Sequence, residues 1–187
     1  GEIQTGREAC RISDAAFLHM LDFIKPGGTE IQVANEIDVY MRGLGASGVS
    51  FDTIITSGVS SSRPHGVASA KVIETGDLVT LDFGCYYNGY VSDMTRTIAV
   101  GEPIDQLKEI HDVVLQAQLK VSEAAAPGKT GVELDKIARD YIASRGYGEY
   151  FTHSTGHGIG LEIHEAPNVS RIATQAFVPG NVITNEQ

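Results

Sequence analysis

Apolar positions recur at intervals of three and four along the first part of the chain: Ala9, Ile12, Ala16, Phe17, Met20, Leu21 and Ile24. That spacing gives a helix one apolar stripe, and Pro26-Gly27-Gly28 stops it. A second helix is predicted directly afterwards. Thr29 and Gln32 have the form of a capping box, and Val33, Ile37, Tyr40, Met41 and Leu44 mark a buried face that closes at Gly45. The period then changes. "SFDTIITSG" and "DLVTLDFGCYYNGYVSDMTRTIAV" are rich in β-branched and aromatic residues, and Asn88-Gly89 in the second is a strong type I′ hairpin signal. Residues 107 to 125 return to helical periodicity.

The second half of the pattern repeats the first. "KPGGTEIQVANEIDVYMRGLG" from Lys25 aligns with "APGKTGVELDKIARDYIASRG" from Ala126 at an offset of 101, matching Pro-Gly-x-Thr, the Tyr40/Tyr141 pair and the closing glycine. Carried onward with small shifts, the repeat sets "FDTIITSG" against "FTHSTGHG", His65 against His164, and "TGDLVTLD" against "PGNVITNE", so that Asp82 corresponds to Glu186. Two helices followed by a sheet segment in each half predict a pseudo-twofold α+β fold with its site between the halves. Tyr40 and Tyr141 are expected in the core.

Composition narrows the function classes. With 187 residues, 42% of them hydrophobic, the chain is long enough for one domain with a proper core. A net charge of −10 leaves no basic face for phosphates, which argues against a nucleic-acid partner. Cys10 and Cys85 are far apart and in no metal-like spacing, so they read as reduced cysteines, favouring a cytoplasmic location. No apolar run approaches the roughly 18 residues of a membrane span, so no membrane partner is expected. Gly1 in place of Met reads as a processed or recombinant start.

The candidate chemistry lies where the repeat coincides. If Asn88 and Gly89 are the two turn residues, Asp93 faces Gly84 and Asp82 is its diagonal neighbour on the same face of the hairpin. Such diagonals lie roughly 7–8 Å apart, within reach of a shared ion. Two like charges so placed need a cation or a proton between them, unless they are simply solvated strand-end aspartates. His157, in a glycine-rich stretch, and Glu186, by the repeat, tilt the balance toward a metal site. Carboxylates with one imidazole suit Mn²⁺, Co²⁺ or Zn²⁺ and commonly bridge two ions. Three histidines, His153, His157 and His164, fall within twelve positions of a chain that has six. His19 and His111, on helical stretches outside every motif, read as structural. Arg96 reads equally as a partner of the acidic cluster or as a solvated strand residue.

Together, "RPHGV", "LDFGCYYNGYVSDMTRT", "HSTGHGIGLEIHEAP" and "PGNVITNE" resemble the pita-bread metallopeptidases, the family of methionine aminopeptidase, aminopeptidase P and prolidase, over essentially the whole chain. The wording "SDMTRT" and "GHGIGLEIHE" is more similar to the Xaa-Pro peptidase branch. The resemblance implies a curved antiparallel sheet flanked by helices in two pseudo-symmetric halves. It implies Asp82, Asp93, His157 and Glu186 as metal ligands, with His65 and His164 lining the substrate cleft and His153 beside them. The implied cofactor is two divalent ions, Mn²⁺ ahead of Co²⁺ or Zn²⁺. The implied activity is hydrolysis of the bond before proline in Xaa-Pro dipeptides or short peptides by a metal-bridged hydroxide, with Glu186 as proton acceptor. Alternatives are a metal-free binding module of the same fold and a creatinase-like C–N hydrolase.

The resemblance also implies a homodimer for the intact protein. Residues 1–187 are read as one catalytic domain without a preceding N-terminal domain and incomplete at its C-terminus. Gln187 stands where the family pattern has proline, and a further acidic ligand is expected beyond it. Reduced peptidase activity of this chain is the corresponding expectation.

Overall fold

The computed structural model describes residues 1–62 and 66–187. The chain forms two compact units, Gly1–Ile104 and Asp105–Gln187, which match the two halves of the sequence repeat.

In the first unit, helix α1 (Glu2–Phe23) buries Ala9, Ile12, Ala16 and Met20, the stripe read from the sequence. Helix α2 (Glu30–Gly43) opens with a complete Thr29–Gln32 capping box and buries Val33, Ile37 and Met41. Six strands follow: β1 (Gly48–Val49), β2 (Ile54–Ser57), β3 (Leu78–Phe83), β4 (Cys85–Tyr87), β5 (Tyr90–Val91) and β6 (Met94–Ala99). They pair antiparallel in the orders β1-β4-β5 and β2-β3-β6. Along β3, Val79, Leu81 and Phe83 enter the core with α1 and α2, while Thr80 and Asp82 take the other face. Burying each such large apolar side chain contributes roughly 1.5–3 kcal/mol.

The hairpin turns at Asn88-Gly89 with φ of 47° and 84°, the two positive angles that a type I′ turn requires. The expected register holds from Tyr87↔Tyr90 at the turn to Leu78↔Ala99 at its far end. The two long runs are each broken in the middle, however, at Gly84 and at Ser92-Asp93. A Cβ at position 84 would collide with the Ser92 carbonyl oxygen and Ser50 Oγ, so the ribbon is pinched there and only glycine fits.

The second unit rebuilds the same local plan. Helices α3 (Asp105–Ala124) and α4 (Gly131–Ser144) precede β7 (Gly156–Gly158) and β8 (Glu165–Val169), which pair antiparallel. Helix α4 repeats α2 in length, in its Thr130–Glu133 capping box and in Tyr141, which packs on its core as Tyr40 does on the other. The core gathers Val113, Ala117 and Val121 from α3, Leu134, Ala138 and Ile142 from α4, and Phe151, Val169 and Phe177.

The strands show where the repeat slips. Bridges Thr29↔Val72 and Thr130↔Ala176 are equivalent. Ile54 pairs with Asp82, and the Glu186 amide donates to the Thr155 carbonyl. Thr155 therefore takes the place of Ile54, one residue away from the match of "FDTIITSG" with "FTHSTGHG" read from the sequence. This follows when Asp82 and Glu186 are held equivalent, as the repeat has them. A one-residue slip moves side chains to the opposite face, so His157 occupies the place of Thr56 and not of Ser57.

Candidate metal centre

In the first unit, Asp82 sits half-buried on β3 and accepts a hydrogen bond from its register partner, Thr95 Oγ1, at 3.0 Å. Asp93, also half-buried, lies between β5 and β6. The hairpin register puts it opposite Gly84, two positions along from Asp82, as the sequence predicted. Arg96 is exposed, and its Nη1 donates to the Thr95 carbonyl 2.8 Å away. His65 lies outside the described residues.

In the second unit, β7 carries His157. Its amide donates to Thr184 Oγ1 at 3.1 Å, the Thr184 amide donates back to the His157 carbonyl at 2.8 Å, and the Glu186 amide reaches the Thr155 carbonyl at 2.7 Å. This pairing brings Glu186 Oε1 to 3.3 Å from His157 Nε2. The Nδ1 atom of His157 lies 2.9 Å from the Gly158 carbonyl, an acceptor, so an N–H is held at Nδ1, and when the imidazole is neutral its lone pair sits at Nε2. Oε1 of Glu186 is buried and has no hydrogen-bond partner of proper geometry among the described residues. With the ring neutral two acceptors face each other, an arrangement that a cation between them satisfies. Burial raises the Glu186 pKa, but with the His157 ring protonated the hydrogen bonds of His157 and Thr184 and the positive charge of His157 and His153 outweigh it and hold the carboxyl below its ordinary value.

The other two histidines flank this pair. His164 is exposed, and its ring lies 4.3 Å from that of His157 at an inclination of 62°. His153 is exposed, holds the Ser154 carbonyl at 2.8 Å through Nδ1 and stands edge-on to Phe151 at 5.0 Å. His19 stacks on Tyr40 with 4.0 Å between ring centroids and contacts Glu36 at 2.6 Å, whereas His111 is exposed on α3.

Two buried carboxylates escaped the sequence reading. Glu30, at the first turn of α2, accepts four hydrogen bonds of 2.7–3.0 Å from the amides and hydroxyls of Ser57 and Ser69. Asp135 on α4 is paired with Arg139 and receives the amide and hydroxyl of Thr155. They occupy different places in the repeat. The position equivalent to Glu30 is Gly131, where a Cβ would collide with the Asn168 carbonyl oxygen. The only signal for Asp135 was its place beside Leu134 on the apolar face of α4, and the Asp135/Arg139 spacing reads equally as an ordinary surface ion pair.

Residues 4–187 match the model of metallopeptidase family M24. An Xaa-Pro dipeptidase of Pyrococcus horikoshii is 51% identical over 185 residues, 99% of this chain and 53% of its own length. Among solved structures, the Xaa-Pro dipeptidase from Bacillus anthracis superposes with a TM-score of 0.96 at 59% identity, covering 97% of this chain and 51% of that one. The X-Pro aminopeptidase from Thermotoga maritima superposes at 0.95 with 46% identity, covering 98% and 52%. The chain spans about half the length of the curated relatives it matches. These likenesses run through both units and bear out the pita-bread α+β fold and the Xaa-Pro branch expected from the motifs. The chain belongs to metallopeptidase family M24.

Proposed function

We propose that this chain carries the metal-binding residues of an Xaa-Pro peptidase that hydrolyses the peptide bond before proline in dipeptides or short peptides. The observation that carries the reading is the facing pair of His157 Nε2 and Glu186 Oε1, 3.3 Å apart on hydrogen-bonded backbone. Asp82 and Asp93 are the carboxylates that the first unit would add, and together the four residues would hold two divalent cations. The hard carboxylates with one imidazole suit Mn²⁺, with Co²⁺ and Zn²⁺ as competitors. When bound, such ions acidify water and polarise the scissile carbonyl.

The remaining steps belong to side chains of the protein. Glu186, held ionised, would take a proton from the attacking water. His164 and His65 would hold the carbonyl oxygen as charge develops on it, with a supporting role for His153. The names of the relatives support proline as the second residue: dipeptidase in Pyrococcus horikoshii and in Bacillus anthracis, aminopeptidase in Thermotoga maritima.

The test is calorimetric titration with Mn²⁺, followed by assay of an Xaa-Pro dipeptide against the same peptide amidated at proline. Preference for the free carboxylate identifies a dipeptidase, and indifference an aminopeptidase. Wild-type protein that takes up no divalent metal, or that binds Mn²⁺ unchanged after His157→Ala, refutes the assignment.

A further inference from the structure

We infer that Asp135 and Arg139, one turn apart on α4, are positioning residues that set His153 and Glu186, neither of which they touch through its side chain. The inference rests on the reading of those two as site residues.

The connection is a continuous set of short contacts within the second unit. Arg139 meets Asp135 in a two-pronged pair, Nε to Oδ2 at 2.8 Å and Nη2 to Oδ1 at 2.9 Å. The same guanidinium donates from Nη1 to the Phe151 carbonyl at 2.8 Å and from Nη2 to the His153 carbonyl at 2.9 Å. It also lies over the Phe151 ring, 4.3 Å from its centroid, and that ring supports the His153 imidazole edge-on. The main chain and ring of His153 are therefore both referred to one cation.

Asp135 handles the next residues. Its Oδ1 accepts the Thr155 amide at 3.1 Å and the Thr155 hydroxyl at 3.0 Å, and the Thr155 carbonyl in turn receives the Glu186 amide. The Asp135 side chain is 2% exposed and that of Arg139 17%, so water does not compete for these bonds as it does in a surface pair. A planar guanidinium can serve a carboxylate and two carbonyls in one plane, which a lysine ammonium cannot. The exposed Lys136–Asp140 pair on the same helix, by contrast, has both side chains more than 60% exposed and touches none of these residues.

Arg139→Lys keeps the charge opposite Asp135 but gives up the fork. Asp135→Asn keeps the shape but gives up the charge, and Asp140→Asn is the surface control. In the metal-free full chain, Arg139→Lys should melt within a few degrees of wild type while the His153 ring resonances move toward those of a freely rotating imidazole. Asp135→Asn should speed exchange of the Glu186 amide at least tenfold, with core amides of α4 unchanged. It should also lower Mn²⁺ affinity by roughly 10- to 100-fold, as loss of an outer support commonly does. Asp140→Asn should move neither.

Wild-type His153 resonances in Arg139→Lys overturn the inference, as does wild-type Glu186 exchange in Asp135→Asn. If Asp135→Asn does not fold, Arg139→Lys decides. Both signatures in a protein that binds no Mn²⁺ would uphold the positioning pair and refute the proposed metal centre.

Discussion

The Nε2 atom of His157 stands 3.3 Å from Oε1 of Glu186, with the opposite ring nitrogen committed to the Gly158 carbonyl. The polypeptide sets this pair through three backbone hydrogen bonds, those of Ile159, Thr184 and Glu186, so the acceptors meet before any ion arrives. Glu186→Gln removes the charge and lets the amide donate to the imidazole. Mn²⁺ affinity should fall at least tenfold while the melting temperature holds or rises, measured by calorimetry and thermal denaturation.

Asp93→Asn should likewise lower metal content sharply without unfolding the first unit. Asp93 sits at the break between β5 and β6, outside the apolar core of that unit. Metal analysis of the purified variant beside its circular dichroism spectrum checks both parts, and unchanged stoichiometry would remove Asp93 from the ligand set.

In the intact protein, His164→Ala and His65→Ala should each retain metal and lose turnover by roughly 10²-fold or more, the magnitude associated with one electrostatic contact in a transition state. The ring of His164 lies against that of His157, while Nδ1 of His157 is occupied by Gly158, so removing His164 leaves the ligand tautomer in place. Steady-state kinetics of metal-saturated enzyme provide the measurement. Near-normal kcat in both variants would sink the role.

Stability should depend on Glu30 at acid pH. Burial alone would raise its pKa, but the four hydrogen bonds from Ser69 and Ser57 win and hold the carboxyl below its ordinary value of 4.5. A depressed pKa in the folded state means that the stabilisation is complete above pH 4.5 and is lost as pH falls from there through the folded-state value, because the unfolded chain takes up the proton first. Glu30→Gln should flatten that part of the pH–stability curve in urea melts. An unaltered acid limb would show that other carboxylates carry it.

Gly84→Ala should destabilise the first unit by about 1–3 kcal/mol, because its Cβ meets the Ser92 backbone, which cannot swing aside as a side chain can. Gly1→Ala, with nothing within 4 Å of the added carbon, is the neutral comparison. Urea denaturation compares the two.

Much of this molecule was legible in the chain because its signals are local. Helices α1 and α2 follow from a three-and-four spacing that any helix must bury, and the Thr29 and Thr130 caps from hydrogen bonds spanning three residues. The Asn88-Gly89 turn fixes the strand register for ten residues on either side, and that register places Asp93 opposite Gly84. The repeat paired Asp82 with Glu186 for the same reason, since glycines and caps recur at matching distances. What depended on packing was not legible. A single-residue slip in strand alignment reverses every side chain, and the backbone hydrogen bonds of Ile159, Thr184 and Glu186 set the register that the sequence match missed. Glu30 and Asp135 look like helix-surface acids until the segments that supply Ser57, Ser69 and Thr155 are folded over them. A carboxylate's burial is decided by partners distant in sequence, so composition and periodicity cannot distinguish a solvated acid from one that holds a strand in place.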